Sequence, residues 1–256
     1  ATLTTVFAPT RVAPVPVSKT DVEQLTSYLG LSGGDTLGGF PAPSGSETLP
    51  YGTLSWSSSA RPSQVASLED AESAAGFSIS LPSSLPSGVG SVAEYVVAPT
   101  VKATITFNSS AGAALSGSTI TMTVGPGIGV TYAGANGSTG LDNLPPLAIL
   151  EAPRPTATST GATTSELENF LLSRPGVPAD LAREIKLLGN PSTTLPVPTP
   201  SGVTSTSMQI DGVPGVVFDD GNDASAAIWE DQNDMVHVVA GLLDQGDLLG
   251  VARQIS

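Results

Sequence analysis

The pattern of apolar and polar positions is clearest at the end of the chain, from Gly202 to Ile255, where short apolar runs are separated by turn residues. Ser205–Ile210 and Val213–Phe218 flank Asp211-Gly212, a pair that supplies the positive φ angles of a two-residue type I′ turn, which predicts a hairpin. Strands are predicted at Ser225–Trp229 and Met235–Ala240, joined by the polar turns 219–223 and 230–233, and connections this short predict a meander. Asp244 then caps a helix, with Asp247 at its third position and Leu243 and Leu248 at the spacing of a hydrophobic staple. Leu248, Val251, Ala252 and Ile255 form its apolar stripe, which must cover one face of the sheet.

Upstream the same reading is more broken. Ala1–Val17 is punctuated by Pro9, Pro14 and Pro16 and is predicted extended. A short helix is predicted after Ser18, with Val22, Leu25 and Leu29 on one face and Gly30 as its stop. Residues 32–50 read as a long loop, Gly52–Ser57 as a strand and Ser67–Ala75 as a helix ended by Gly76. Further strands are predicted at Phe77–Leu81, Ser91–Val97, Val101–Asn108, Ser118–Val124, Ile128–Tyr132 and Leu147–Ala152. The cluster Gly125–Gly129 reads as a tight turn or bulge. Thr156–Thr164 reads as a polar lead into a capping box at Ser165 and Glu168, with Leu167, Phe170 and Leu171 sharing a helix face. A second helix opens at Pro178 with Leu181, Ile185 and Leu188 buried, and Leu195–Pro200 reads as a Pro-rich connector. The sum is an α+β fold: antiparallel sheet or sheets with helices packed on one face, closing in a β-meander and a helix. The chain divides into 1–62, an extended segment with a short helix and loop; 63–160, a strand-rich half; and 161–256, a helical hairpin followed by the meander and helix. These three stretches are also compatible with one continuous domain.

Composition narrows the function classes. With 23 acidic against 9 basic residues and a net charge of −14, the chain repels phosphate backbones, which argues against a nucleic-acid partner. There is no cysteine, so disulfides and thiolate chemistry are excluded. The low share of charged residues, 12%, beside abundant Ser, Thr, Ala, Gly and Pro, suits an exported protein.

Candidate chemistry is sparse. His237 is the single histidine, and without a second histidine or a cysteine it cannot anchor a conventional zinc site. It reads as a structural residue, partly buried or on an edge strand. No Gly-x-Ser-x-Gly elbow is present to support a serine hydrolase. Asp219, Asp220, Asn222 and Asp223 place four oxygen-bearing side chains in five residues, a candidate calcium loop, although Asp and Asn are also ordinary turn residues. No other cofactor is implied. Trp56, Phe77, Phe107, Phe218 and Trp229 read as core.

The segment Ala75–Gly88, with Ala-Gly-Phe followed by Leu-Pro and Leu-Pro-Ser-Gly, resembles the opening of a bacterial extracytoplasmic family of unknown function. Val213–Val217, Ala227–Glu230, Val236–Gly241 and the ending Val251–Ile255 resemble its closing strands and helix. That family is found as the C-terminal ectodomain of single-pass membrane proteins, including anti-sigma-factor-like proteins. The resemblance implies a membrane tether upstream of Ala1, a location outside the cytoplasm at the cell surface or in a periplasm-like space, and a non-enzymatic sensory or regulatory role with an envelope protein or ligand as partner. It identifies no site residues. Two other readings stand beside it: a carrier of lipid or another hydrophobic ligand, with a cavity lined by residues such as Ile105, Phe107 and Met122, and a structural component of the cell envelope.

Overall fold

A computed structural model describes residues 3–18, 44–58, 60–137, 144–173, 183, 186–187 and 189–255. The described chain forms sixteen strands and three helices. The strands are β1 (Leu3–Phe7), β2 (Arg11–Val17), β3 (Ser44–Leu49), β4 (Gly52–Ser58), β5 (Ser63–Val65), β6 (Val89–Ala98), β7 (Val101–Phe107) and β8 (Thr119–Val124). They continue with β9 (Gly127–Gly134), β10 (Leu147–Pro153), β11 (Thr156–Thr160), β12 (Thr194–Pro200), β13 (Thr204–Ile210), β14 (Val213–Asp219), β15 (Ser225–Glu230) and β16 (Met235–Gly241). The helices are α1 (Leu68–Ala75), α2 (Thr164–Leu172) and α3 (Gln245–Ala252).

An eight-stranded sheet runs β13-β14-β15-β16-β10-β9-β6-β5 and a six-stranded sheet runs β1-β11-β8-β7-β4-β3. All pairs in both sheets are antiparallel, whereas β2 and β12 form a separate parallel pair. The expected α+β architecture with a terminal meander and helix is therefore present. Strands of the middle stretch are shared between the two large sheets: β6, β9 and β10 join the meander, while β7, β8 and β11 do not. The chain crosses from sheet to sheet at prolines, near Pro99, at the cis Gly125-Pro126 bond and at Arg154-Pro155. Proline suits such a crossing because it has no N–H to leave unpaired where a ladder ends.

One face of the eight-stranded sheet carries the larger core. Ile128, Val130, Leu147, Ile149, Val217, Ala227, Trp229 and Val239 pack there under α3 and α1, whose buried residues are Leu248, Val251, Ala252 and Ala71. Asp244 caps α3 by accepting from the Asp247 N–H at 2.8 Å, and Leu243 and Leu248 both enter this core. The hairpin turn has φ of 45° at Asp211 and 84° at Gly212, as a type I′ turn requires. On the opposite face β2 lies across β14 and β15, and Val12 packs with Val216 and Phe218. The six-stranded sheet has its own core, in which Phe170 of α2 meets Tyr51 and Phe107 edge-on at 5.3 and 5.2 Å. Its other face presents rows of Thr and Ser, among them Thr158, Thr121, Thr104 and Ser55 in register. Thr104 and Thr121 share a hydroxyl hydrogen bond of 2.9 Å. An antiparallel sheet with one solvated face favours such β-branched polar residues.

Several expectations are corrected. Residues 44–49 lie inside the expected loop yet form β3, because β4 offers a full ladder from Ser44↔Ser57 to Leu49↔Gly52. Phe77–Leu81 is not a strand; no neighbour pairs with it, and the Ile79 N–H donates to the Glu72 carboxylate at 3.0 Å instead. Thr156–Thr160 is a strand, seated between β1 and β8. The capping box belongs to Thr163 and Glu166, two residues earlier than expected, and on this helix Leu167 and Phe170 are buried while Leu171 is exposed. The Pro-rich 194–200 run is β12, tolerated because its only partner is β2 and both strands lie outside the large sheets. The helix expected over Val22–Leu29 lies outside the described residues, as do Leu181, Ile185 and Leu188.

Candidate functional site

The alternation that makes β10, β15 and β16 apolar on their core face is broken at one row. Reading across the register, Gly215, Trp229, His237, Glu151 and Ile128 stand side by side on five adjacent strands. Gly215 has no side chain because none fits: an added Cβ would lie 2.9 Å from Trp229 Cβ and 2.6 Å from Ile210 Cδ1. That space lets the indole settle fully buried, with the His237 imidazole stacked on it at 5.1 Å and 9° between planes.

His237 and Glu151 are only 4% and 3% exposed. Imidazole Nδ1 lies 3.5 Å from Glu151 Oε2, and Nε2 lies 3.4 Å from Asp231 Oδ2. Neither contact closes into a well-formed hydrogen bond, and Glu151 Oε1 and Trp229 Nε1 also have no hydrogen-bond partner. With a carboxyl group at each ring nitrogen, only the doubly protonated imidazolium presents an N–H to both; a neutral tautomer would turn one lone pair toward an acid. Burial opposes that charge, but Glu151 and Asp231 outweigh it and hold the imidazole above its ordinary pKa. Stacking on the indole face adds cation–π attraction. Asp231 is itself fixed by the turn, its Oδ1 accepting from the Asn233 and Met235 N–H groups at 2.8 and 2.9 Å. Burial raises its pKa, and those hydrogen bonds more than reverse the effect, leaving it below the ordinary range.

The neighbouring residue Glu230 points to the other face, toward the N-terminal strands. Its side chain is 2% exposed and lies 3.4 Å from Arg154 Nη1, which also sits 3.0 Å from Asp234 Oδ1. The same guanidinium donates to the Pro9 carbonyl at 3.1 Å, and the Arg154 N–H donates to the Asp234 carbonyl at 2.8 Å. Arg154 thus stands at the crossing from β10 to β11 and holds the crossing from β1 to β2. Burial pushes the Glu230 carboxyl up to about 7; Arg154 opposes the rise, and Asp234 and Asp231 add to it. Glu230 Oε2 accepts no hydrogen bond.

The row sets one imidazole beside a buried carboxyl group, with Asp231 at its other nitrogen, and carries no nucleophilic hydroxyl or thiol. His237 is fully buried on a central strand, which corrects the expectation of a partly buried or edge position; β16 lies between β15 and β10. Its partner Glu151 was missed, although an acid within the apolar run Leu147–Ala152 was a visible signal. In the candidate calcium loop two carboxylate oxygens accept from the backbone of the turn itself. Asp219 Oδ1 accepts from the Gly221 N–H at 2.7 Å, and Asp220 Oδ1 from the Asn222 and Ala224 N–H groups at 2.9 and 3.2 Å. Asn222 and Asp223 are exposed. Among the described residues no group of three or more His, Cys, Asp or Glu side chains is placed to hold a metal ion. Of the residues named for a carrier cavity, Phe107 is packed in the smaller core with Ile105 against it, and Met122 is exposed. No helix among the described residues is long and apolar enough to cross a membrane. No known protein family, characterised protein or solved structure matches the chain.

Proposed function

We propose that this chain is a non-enzymatic regulatory ectodomain that acts outside the cytoplasm, behind a membrane tether at its N-terminal side. The observation that carries the reading is the placement of the first described strands. β1 is an edge of the six-stranded sheet, β2 lies over the eight-stranded sheet, and Arg154 grips Pro9 between them. A partner or ligand that shifts either sheet therefore moves the segment through which a tether would be felt. The net charge of −14, a buried charged row with no nucleophile in it and the resemblance to membrane-anchored ectodomains support the same reading.

The test uses the complete gene in its own cell. The protein is expected in the membrane fraction, digested by protease added outside, and removal of residues 3–255 is expected to change the transcriptional response to envelope stress. Recovery as a protease-shielded cytoplasmic protein, or an unchanged response after the deletion, refutes it.

A further inference from the structure

Three features outside ordinary packing compete for a role: the Thr and Ser face of the six-stranded sheet, the acidic turn 219–223, and the buried ionisable row. Nothing in the structure shows what would cover the hydroxyl face, and in the acidic turn Asp219 Oδ1 and Asp220 Oδ1 accept from its own backbone with nothing beside them that points to a ligand. The buried row is different, because it joins unpartnered polar atoms, full burial and a mechanical link to the N-terminal strands.

We propose that the closed end of the β15–β16 hairpin is a two-proton switch: His237 protonated between Glu151 and Asp231, and Glu230 protonated beside Arg154, hold this end shut, and loss of both protons loosens it and the Pro9 crossing. The two groups lie on opposite faces of one hairpin, at consecutive register positions, since His237 pairs with Trp229 and Val236 with Glu230. The groups that act on His237 are Glu151 from β10 and Asp231 from the turn; those that act on Glu230 are Arg154 from the β10–β11 crossing and Asp234 and Asp231 from the turn.

Both protons work in the same direction. A neutral imidazole keeps an N–H for only one of its two carboxyl neighbours and turns a lone pair toward the other inside the protein. An ionised Glu230 leaves a buried carboxylate oxygen with no donor, since Oε2 has none. Each folded-state pKa lies above its ordinary value, so each contribution is complete below that value and is lost as pH rises through the folded one. Histidine switches commonly open on acidification; this one closes. The released protons pass to solvent. The device is a property of the fold and is independent of the regulatory role proposed above.

The single histidine makes the test direct. Titrating its imidazole by NMR in the intact chain should give a midpoint above the ordinary histidine value. Between about pH 6 and about pH 8, Glu230 alone should raise the unfolding equilibrium constant about tenfold, with His237 adding to it. Hydrogen exchange, corrected for the intrinsic rate, should show the added opening at 229–237 and around Pro9 rather than at 128–132. Glu230→Gln, a fixed mimic of the protonated acid, should retain the low-pH stability at high pH and reduce the slope severalfold. A histidine midpoint at or below the ordinary value, a change of less than about twofold in the unmodified chain, or an undiminished slope in Glu230→Gln overturns the proposal. Should Glu230→Gln fail to fold, the two measurements on the unmodified chain decide.

Discussion

Gly215→Ala tests the packing that seats the Trp229–His237 pair. The added methyl would lie 2.6 Å from Ile210 Cδ1, 2.9 Å from Trp229 Cβ and 3.0 Å from the Ile228 carbonyl oxygen. The first contact is with the end of a side chain, but Ile210 is fully buried in the larger core and shifts only against its packing neighbours. The other two belong to β15 and yield only if the strand moves. Overpacking of this kind costs about 1–3 kcal/mol. Against it, Ala restricts the unfolded chain and returns about 0.4–1 kcal/mol. The midpoints of the two ranges leave a net loss of about 1.3 kcal/mol. Gly250→Ala is the matched control: it lies in α3 with nothing within 4 Å of an added Cβ, and should stabilise by about 0.5–1 kcal/mol. Urea unfolding is followed by tryptophan emission in a Trp56→Phe background, so that Trp229 alone reports the larger core. If Gly215→Ala matches or exceeds the parent in stability while Gly250→Ala behaves as expected, the packing argument at this row is wrong.

Leu248→Ala removes a fully buried side chain from the larger core and should cost about 2–5 kcal/mol, measured by the same urea titration. Thr163→Ala breaks the reciprocal cap with Glu166, whose carboxylate accepts from the Thr163 N–H at 2.8 Å, and should lower stability by about 0.5–2 kcal/mol in thermal unfolding. Asp231→Ala removes the acceptor that closes the β15–β16 turn and one acid beside His237; NMR should find the histidine midpoint lowered. Because the Asp231 pKa is depressed, its contribution is present above the ordinary carboxylate range and lost as pH falls through the folded value, so parent and variant should converge in strong acid.

Local chemistry was legible wherever one short stretch decides the structure. Asp211-Gly212 demands its turn, Gly76 ends α1, Asp244 caps α3, and the stripe Leu248, Val251, Ala252 and Ile255 is buried as its spacing requires. Apart from the capping box, which lies two residues earlier than its sequence pattern suggests, errors fell where a remote neighbour decides. β3 and β11 are polar runs that become strands only because β4, β1 and β8 supply ladders, and β12 is a strand only because β2 lies alongside. Phe77–Leu81 alternates as a strand would, but pairs with nothing. Likewise the sequence shows one histidine in an apolar run, and nothing local says that Glu151 will stand beside it. The sequence by itself determined turns, caps, amphipathic faces, the acidic charge and the absence of thiol chemistry, because these depend on backbone preference and composition. Only the tertiary structure decided which strands share a sheet and which charges are buried together, because strand pairing and desolvation depend on residues that meet in space and not on those adjacent in the chain.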